Sequence, residues 1–252
     1  MEQIRKPFQG VGNIILFNRH FFIFALVFLI GLCVSNYFTQ GEYRLFLFIL
    51  FVLTLSSTLI SLCVSFYVYD VSDLYKLNWL KDIDIPIKII NINAGFDETS
   101  SLLKDKFKNA ELIVLDFYDS EKHTEVSIKR ARSTYPLFPN TLSVQTACLP
   151  QPDNFADKIF VFLAAHEIRD EKERTIFFKE LRRVLKPAGE IFVVEHLRDA
   201  ANFCVYNIGF FHFLSKSSWL KVFRSTDLSV FNELKITPFI TTFTLRKHDI
   251  AS

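Results

Sequence analysis

Residues Ala165-His166-Glu167-Ile168-Arg169-Asp170, then Leu185-Lys186-Pro187-Ala188-Gly189-Glu190, then Ile191-Phe192-Val193-Val194-Glu195 decide how this chain is read. Before the first of these runs lies an apolar, strand-like segment, Lys158 to Ala164. Between the first two lies a charged segment with an apolar face at Ile176, Phe177, Leu181, Val184 and Leu185, the spacing of a helix. Asp170 stands at its head with Glu173 three residues on, the pattern of a capping box. A Lys-Pro-x-Gly stop and a second apolar strand, Ile191 to Glu195, follow. Strand, polar tip, helix, stop and strand make one α/β crossover of the kind that joins parallel strands.

Working outward, the same alternation recurs. Ile85 to Ile92 and Leu112 to Leu115 are short apolar, β-branched runs, the second ending at Asp116. Glu98 to Phe107 and Glu121 to Arg132 lie between strands and read as helices. Thr141 to Thr146 is a third strand, closed by Leu149-Pro150-Gln151-Pro152. Near-continuous apolar strands separated by helices predict a parallel sheet covered on both faces. The ending differs: runs around Val230 to Ile236 and Phe239 to Leu245 have only Pro238 and its neighbours between them, which predicts an antiparallel hairpin.

The first seventy residues belong to another solvent. Phe21 to Phe38 and Leu45 to Tyr69 carry no charge and are long enough to span a bilayer. The short polar turn Gln40 to Arg44 makes them a helical hairpin, with spans at about 21–39 and 45–69. Arg5, Lys6 and Arg19 flank the first span, against Arg44 alone in the turn. The positive-inside rule therefore places both termini and the α/β domain in the cytoplasm. A cleaved signal peptide is the alternative for the first span, but no small-residue cleavage site follows it. Small faces at Gly31 and Ser35, and at Thr54, Thr58, Ser61 and Ser65, suit packing within the hairpin or a homodimer through it. No span holds an ionisable residue, which argues against a transporter. Asp70 to Lys81 is a connector, suited to the lipid headgroups or to the following domain. The predicted organisation is 1–70 for the hairpin, 71–84 for the connector and 85–252 for the α/β domain.

The bulk numbers exclude several classes. A formal net charge of +2 over 252 residues argues against nucleic-acid binding driven by charge. The 4 cysteines, Cys33, Cys63, Cys148 and Cys204, form no CxxC pair, and the 6 histidines show no metal-ligand spacing, so no metal is expected.

Five β/α units followed by a terminal hairpin, over residues 85–246, resemble the class I S-adenosylmethionine (SAM)-dependent methyltransferases, nearest to the small-molecule ubiquinone/menaquinone type. The resemblance implies a doubly wound, mostly parallel seven-stranded Rossmann-like sheet, order 3-2-1-4-5-7-6, with an antiparallel last strand. It also implies SAM as cofactor, bound beyond the carboxyl ends of the first strands. In the family the first strand ends in an acidic residue and a three-glycine loop. Here Asn91 holds the acidic position, Asn93 replaces the first glycine, Gly95 matches the second and Asp97 replaces the third. Asn93 tolerates the positive φ such a turn requires. Phe96 crowds the cleft unless it turns away. A plain strand-to-helix turn capped by Asp97 or Thr99 is the other reading.

Asp116 matches the family's ribose carboxylate, whose two oxygens suit two adjacent hydroxyls. Asp119 is its rival, and capping is the plainer role. Phe117 or Tyr118 would cover the adenine, and Gln145 and Thr146 stand near its amino group. His166 and Glu167 face the transferring methyl in the family and are the candidate general bases, with loop residues as the bland alternative. Glu195 and His196 offer a second acid/base pair at that rim. The aromatic run Asn202 to Phe223 falls where the family forms its acceptor site. His196, Tyr206, Phe210 and His212 are its candidate substrate contacts. An ordinary helix packed on the sheet, or a surface resting on the membrane, would use many of the same residues.

The expected activity is SAM-dependent methylation of a small hydrophobic acceptor (a lipid, quinone, isoprenoid or polyene) reached from the bilayer, with membrane lipids as the other partner. A non-catalytic, methyltransferase-like membrane scaffold is the rival. A nucleotide enzyme of another kind lacks support, since there is no Walker lysine motif or full GxGxxG.

Overall fold

The computed structural model describes residues 5–122 and 125–248. A short helix α1 (Gln9–Phe17) leads into α2 (Arg19–Phe38) and α3 (Glu42–Phe66), which ends in a π-helical turn at Tyr67–Val71. α2 and α3 are the antiparallel pair predicted from the two uncharged runs. Their most apolar stretches have 6% and 0% of residues buried.

The α/β domain runs β1 (Lys88–Asn93), α4 (Ser100–Lys106), β2 (Glu111–Asp116), α5 (Val126–Thr134), β3 (Leu142–Ser143), β4 (Ala156–Phe162), α6 (Glu171–Val184), β5 (Leu185–His196), α7 (Ala200–Tyr206), α8 (Lys216–Ser225), β6 (Leu228–Thr237) and β7 (Ile240–Lys247). The sheet order is β3-β2-β1-β4-β5-β7-β6. β1 to β5 pair in parallel, and β7 runs antiparallel to both β5 and β6. This is the seven-stranded order, with an antiparallel last strand, that the resemblance noted above implies.

Successive residues of a strand point to opposite faces, and the core divides accordingly. Ile90, Ile92, Ile159, Val161, Val193 and Phe243 face α6 and α8, meeting Phe177, Phe178, Leu181, Trp219 and Phe223. Ile89, Phe160, Phe162, Phe192 and Val194 face Leu103 and Phe107. They also face the connector: Leu74 and Leu77 are buried there, and Trp79 packs on Phe162 and Phe192 at 6.0 and 6.2 Å. Residues 71–80 therefore seal the sheet instead of lying at the headgroups.

α6 starts where expected, with the Asp170 carboxylate accepting the Glu173 N–H at 2.7 Å. Three details differ from the sequence reading. Ile176 is exposed, and Phe178 takes its place on the buried face. The Lys-Pro-x-Gly stretch does not stop the chain but begins β5, through an irregular register against Ala156 and Lys158, as Pro and Gly in a strand commonly mark. α1 was not predicted at all. It packs against α5 and α3, over the carboxyl ends of β1 and β2.

Candidate active site

The strand order reverses between β1 and β4, so the crevice beyond their carboxyl ends is the expected binding site. The turn after β1 is built by its own side chains. Asn93 Oδ1 accepts the Gly95 N–H at 3.1 Å, and Gly95 takes the positive φ, +97°. Asn93 itself is not among the residues of positive φ, so it holds the turn by a hydrogen bond and not by its backbone. The Asp97 carboxylate accepts the N–H groups of Thr99 and Ser100, both at 2.9 Å, and so caps α4. Asn91 is buried beneath. Its Nδ2 donates to Thr99 Oγ1 and Ser100 Oγ at 2.9 and 2.8 Å, which fastens β1 to α4. Asn93 Nδ2 is buried and has no partner.

Phe96 turns outward beneath α1, meeting Phe17 and Tyr135 with ring centroids 5.3 Å away in each case. Glu98, which no sequence pattern marks, gathers three contacts. Arg5 and Tyr75 donate to it at 2.9 and 2.7 Å, and Asn13 at 3.3 Å. These contacts tie the N-terminal segment, α1 and the connector to the cofactor loop.

Asp116 ends β2, buried, with one oxygen accepting the Tyr118 N–H at 2.9 Å and the other paired with the Arg132 guanidinium. Arg132 comes from α5 and stacks over the Tyr118 ring at 4.4 Å. Phe117 points the other way, into the core against Phe177 at 5.3 Å, so it cannot cover an adenine. Tyr118 is the aromatic on the cleft side, as strand alternation requires. Gln145 is exposed in the turn beyond β3, whereas Thr146 is buried and donates to Glu173 at 2.6 Å. Asp119 accepts the Glu121 N–H and shapes the next turn.

At the tip of β4, a turn of 3₁₀ helix (Ala165–Glu167) buries His166 and Glu167. His166 Nδ1 lies 2.7 Å from Glu195 Oε2 on β5, and its Nε2 lies 3.1 Å from Glu167 Oε1. Burial disfavours the imidazolium. The Glu195 charge, the hydrogen bonds with Glu167 and Glu195 and the Glu167 charge outweigh it and lift the pKa to about 10. Burial likewise disfavours the Glu167 carboxylate, yet hydrogen bonds from His166 and His212 hold its pKa far below the usual range. In this arrangement neither group is a ready base at neutral pH.

The substrate candidates separate. His212 comes to this cluster, with Nε2 at 3.2 Å from Glu167 Oε1 and Nδ1 at 2.6 Å from Glu125 Oε1. His196 is buried away from it, between Tyr69 Oη at 2.7 Å and Asn202 Oδ1 at 3.1 Å. Burial pushes its pKa down to about 4, with the His166 charge adding to the shift. Tyr206 stacks edge-on to His196, and Phe210 packs on Phe203. Trp219 and Phe223 belong to the core, which leaves the aromatic run from Phe203 to Phe213 outside it.

SAM can be tested against this cleft. Asp116 stands at the right strand end, and the unpartnered Asn93 amide faces a cavity lined also by Phe96, Thr99, Phe162 and Glu167. That cavity measures about 120 Å³, against roughly 300–1,000 Å³ for ligand pockets. Both Asp116 oxygens are engaged. A Cβ built on Gly95 would stand 2.8 Å from the Tyr118 ring and 3.1 Å from the Arg132 side chain, so the glycine cradle is already filled. In this closed conformation the residues do not fit the cofactor.

Residues 91–193 match the family described as a methyltransferase domain. No curated protein matches the chain. Among solved structures, the chain is similar to a SAM-dependent methyltransferase from Aquifex aeolicus, at 16% identity over 63% of this chain and 81% of that one, TM-score 0.45. It is also similar to one from Methanosarcina mazei, at 16% identity over 69% of this chain and 97% of that one, TM-score 0.48. The matched segment runs from within β1 to within β5, the part of the sheet that carries the switch point. The match to a methyltransferase-domain model and the strand order agree on one part of the chain, the β1–β5 part of the sheet.

Proposed function

We propose that this chain is a membrane-tethered methyltransferase that methylates a small hydrophobic molecule at the cytoplasmic face of its membrane. One observation carries the reading: the apolar surfaces of α2 and α3 are left uncovered by the rest of the protein, while the sheet begins at Lys88, one connector beyond Val71. Helices of that length and composition suit a bilayer. α7 packs against α3, and Phe203 and Phe211 beside it are 53% and 65% exposed. An apolar acceptor leaving the bilayer would meet this aromatic segment first. The preponderance of Arg5, Lys6 and Arg19 over Arg44 supports the cytoplasmic placement. The small faces of the hairpin suit a homodimer, an expectation that cross-linking in membranes would check.

The full-length protein in liposomes, given methyl-labelled SAM and a total lipid extract, should yield label in an organic-soluble product. Asp116→Asn should abolish that label. Binding of SAM without any organic-soluble product would refute the hydrophobic acceptor.

The Arg132–Asp116 pair and the filled Gly95 cradle favour a second reading, a domain that has kept the fold and serves as a membrane scaffold or partner subunit. Failure of both the wild type and Arg132→Met to bind SAM would establish it.

A further inference from the structure

Two histidines from separate elements converge on one carboxylate. His166 Nε2 and His212 Nε2 stand 3.1 and 3.2 Å from Glu167 Oε1, and one ligand atom from each of the three residues lies within 4.8 Å of the others. Nitrogen and oxygen ligands placed at about 2.0–2.1 Å around a tetrahedral ion stand roughly 3.3 Å apart. Each imidazole is also fixed from behind: Glu195 holds His166 Nδ1 at 2.7 Å and Glu125 holds His212 Nδ1 at 2.6 Å. A carboxylate on the far nitrogen is the usual support of a metal-bound histidine, since it fixes the tautomer and aims the other nitrogen.

We infer that His166 Nε2, Glu167 and His212 Nε2 form a three-ligand site for a divalent transition-metal ion of the Zn²⁺ class, with Glu195 and Glu125 as positioning residues. Two imidazoles and one carboxylate suit such an ion better than Mg²⁺ or Ca²⁺, which favour oxygen alone. The ion takes the place of the protons now shared between the imidazoles and Glu167. Three protein ligands leave coordination positions open. Glu167 also lines the cavity beside Asn93, so the ion would border the methyltransferase cleft. His212 ends the 3₁₀ turn Asn207–His212, so the ion would also pin this aromatic segment to the tip of β4. The Arg169 guanidinium now occupies the position beside the ligand atom, with Nη2 2.9 Å from His212 Nε2, and also bonds the His212 carbonyl and Glu125; it is 44% exposed and must swing out as the ion arrives. Sequence spacing conceals the site because Glu167 and His212 are 45 residues apart.

The site rests on ligand geometry and not on methyl transfer, so its test reads metal binding. Full-length protein, purified in detergent and stripped of metal, would be titrated with Zn²⁺ against a chromophoric chelator, and with Co²⁺ by visible absorption. One equivalent should bind at micromolar or tighter Kd, with a d–d spectrum of low coordination number and no thiolate charge-transfer band. His212→Ala, which stays folded at a somewhat lower Tm because Glu167 loses one partner, should weaken Zn²⁺ about 100-fold or more, and Glu125→Gln about 10- to 100-fold. No binding at millimolar Zn²⁺, an affinity unchanged in His212→Ala, or a Co²⁺–thiolate band would overturn the inference.

Discussion

Replacing Arg132 by Met removes the group that closes the cleft and keeps most of its apolar stem. The Asp116 carboxylate is 4% exposed and the Arg132 side chain 30% exposed, so the pair is sheltered on one side only. A hydrogen bond between charged groups is worth about 1.5–3 kcal/mol net, and the exposed side of the guanidinium argues for the lower half of that range. The stack on Tyr118 adds about 0.5–1 kcal/mol. Closure is then worth roughly 2–3 kcal/mol, an equilibrium of about 30- to 150-fold against the open cleft. A ligand that binds only the open form loses that factor in apparent affinity. Arg132→Met should therefore bind SAM and S-adenosylhomocysteine about 30- to 150-fold more tightly than the wild type, by calorimetric titration of full-length protein in detergent. Without ligand, the same variant should be less stable, because among the described residues Asp116 keeps the Tyr118 N–H alone as hydrogen-bond partner. Tighter binding together with lower stability is the signature of a latch. A folded Arg132→Met protein that binds SAM no better than the wild type, or worse, would show that Arg132 does not hold the cleft shut.

Other consequences are equally specific. Glu98→Ala leaves Arg5, Asn13 and Tyr75 without their shared acceptor and should loosen α1 by about 2–3 kcal/mol; hydrogen exchange over residues 9–17 should speed up, and unchanged protection would count against the tether. Phe177→Ala empties a fully buried site between Phe117 and Phe178 and should cost about 3–5 kcal/mol, read as a lower Tm; a loss below 1 kcal/mol would contradict this packing. For His196, the unfolded chain takes up a proton below about pH 6.5, while the folded protein resists it down to about 4. Its contribution is thus intact above pH 6.5 and falls by about 3 kcal/mol as pH drops from 6.5 to 4. Thermal unfolding at pH 7.5 and 5 should show a smaller acid loss in His196→Gln, and equal losses in both proteins would refute the assignment.

α1 links these observations. It sits over the β1 turn through Phe17 and Phe96, reaches Tyr135 of the segment after α5 through Asn13, and continues after a single residue into α2. Arg130 of α5 in turn donates to the Phe17 carbonyl at 2.6 Å. The helix that carries Arg132 is therefore fastened to the base of the hairpin, and any movement of α5 that opened the Asp116 site would have to carry or release α1.

The sequence by itself determined what depends on local pattern. Uncharged runs of bilayer length gave the hairpin, because apolarity over some twenty residues is a property of the segment alone. Alternating apolar runs gave the parallel strands, and the lack of a helix between the last two gave the β6–β7 hairpin. Asp170 was legible as a cap because an N-cap bonds only three residues ahead. The sequence left Phe117 and Tyr118 open as the aromatic over the adenine, and only the packing of Phe117 on Phe177 decides against it. Only the tertiary structure decided what fills the site. Nothing near Arg132 in the chain marks it as the partner of Asp116, which lies one helix away. The 9 residues of α1 are too few to declare a helix by periodicity, and packing on α5 and α3 is what fixes them. His166, Glu167, Glu195, Glu125 and His212 come from a strand tip, a neighbouring strand, a loop and an aromatic segment. A charge cluster of that kind is assembled by the crossing of elements, and spacing along the chain cannot encode it.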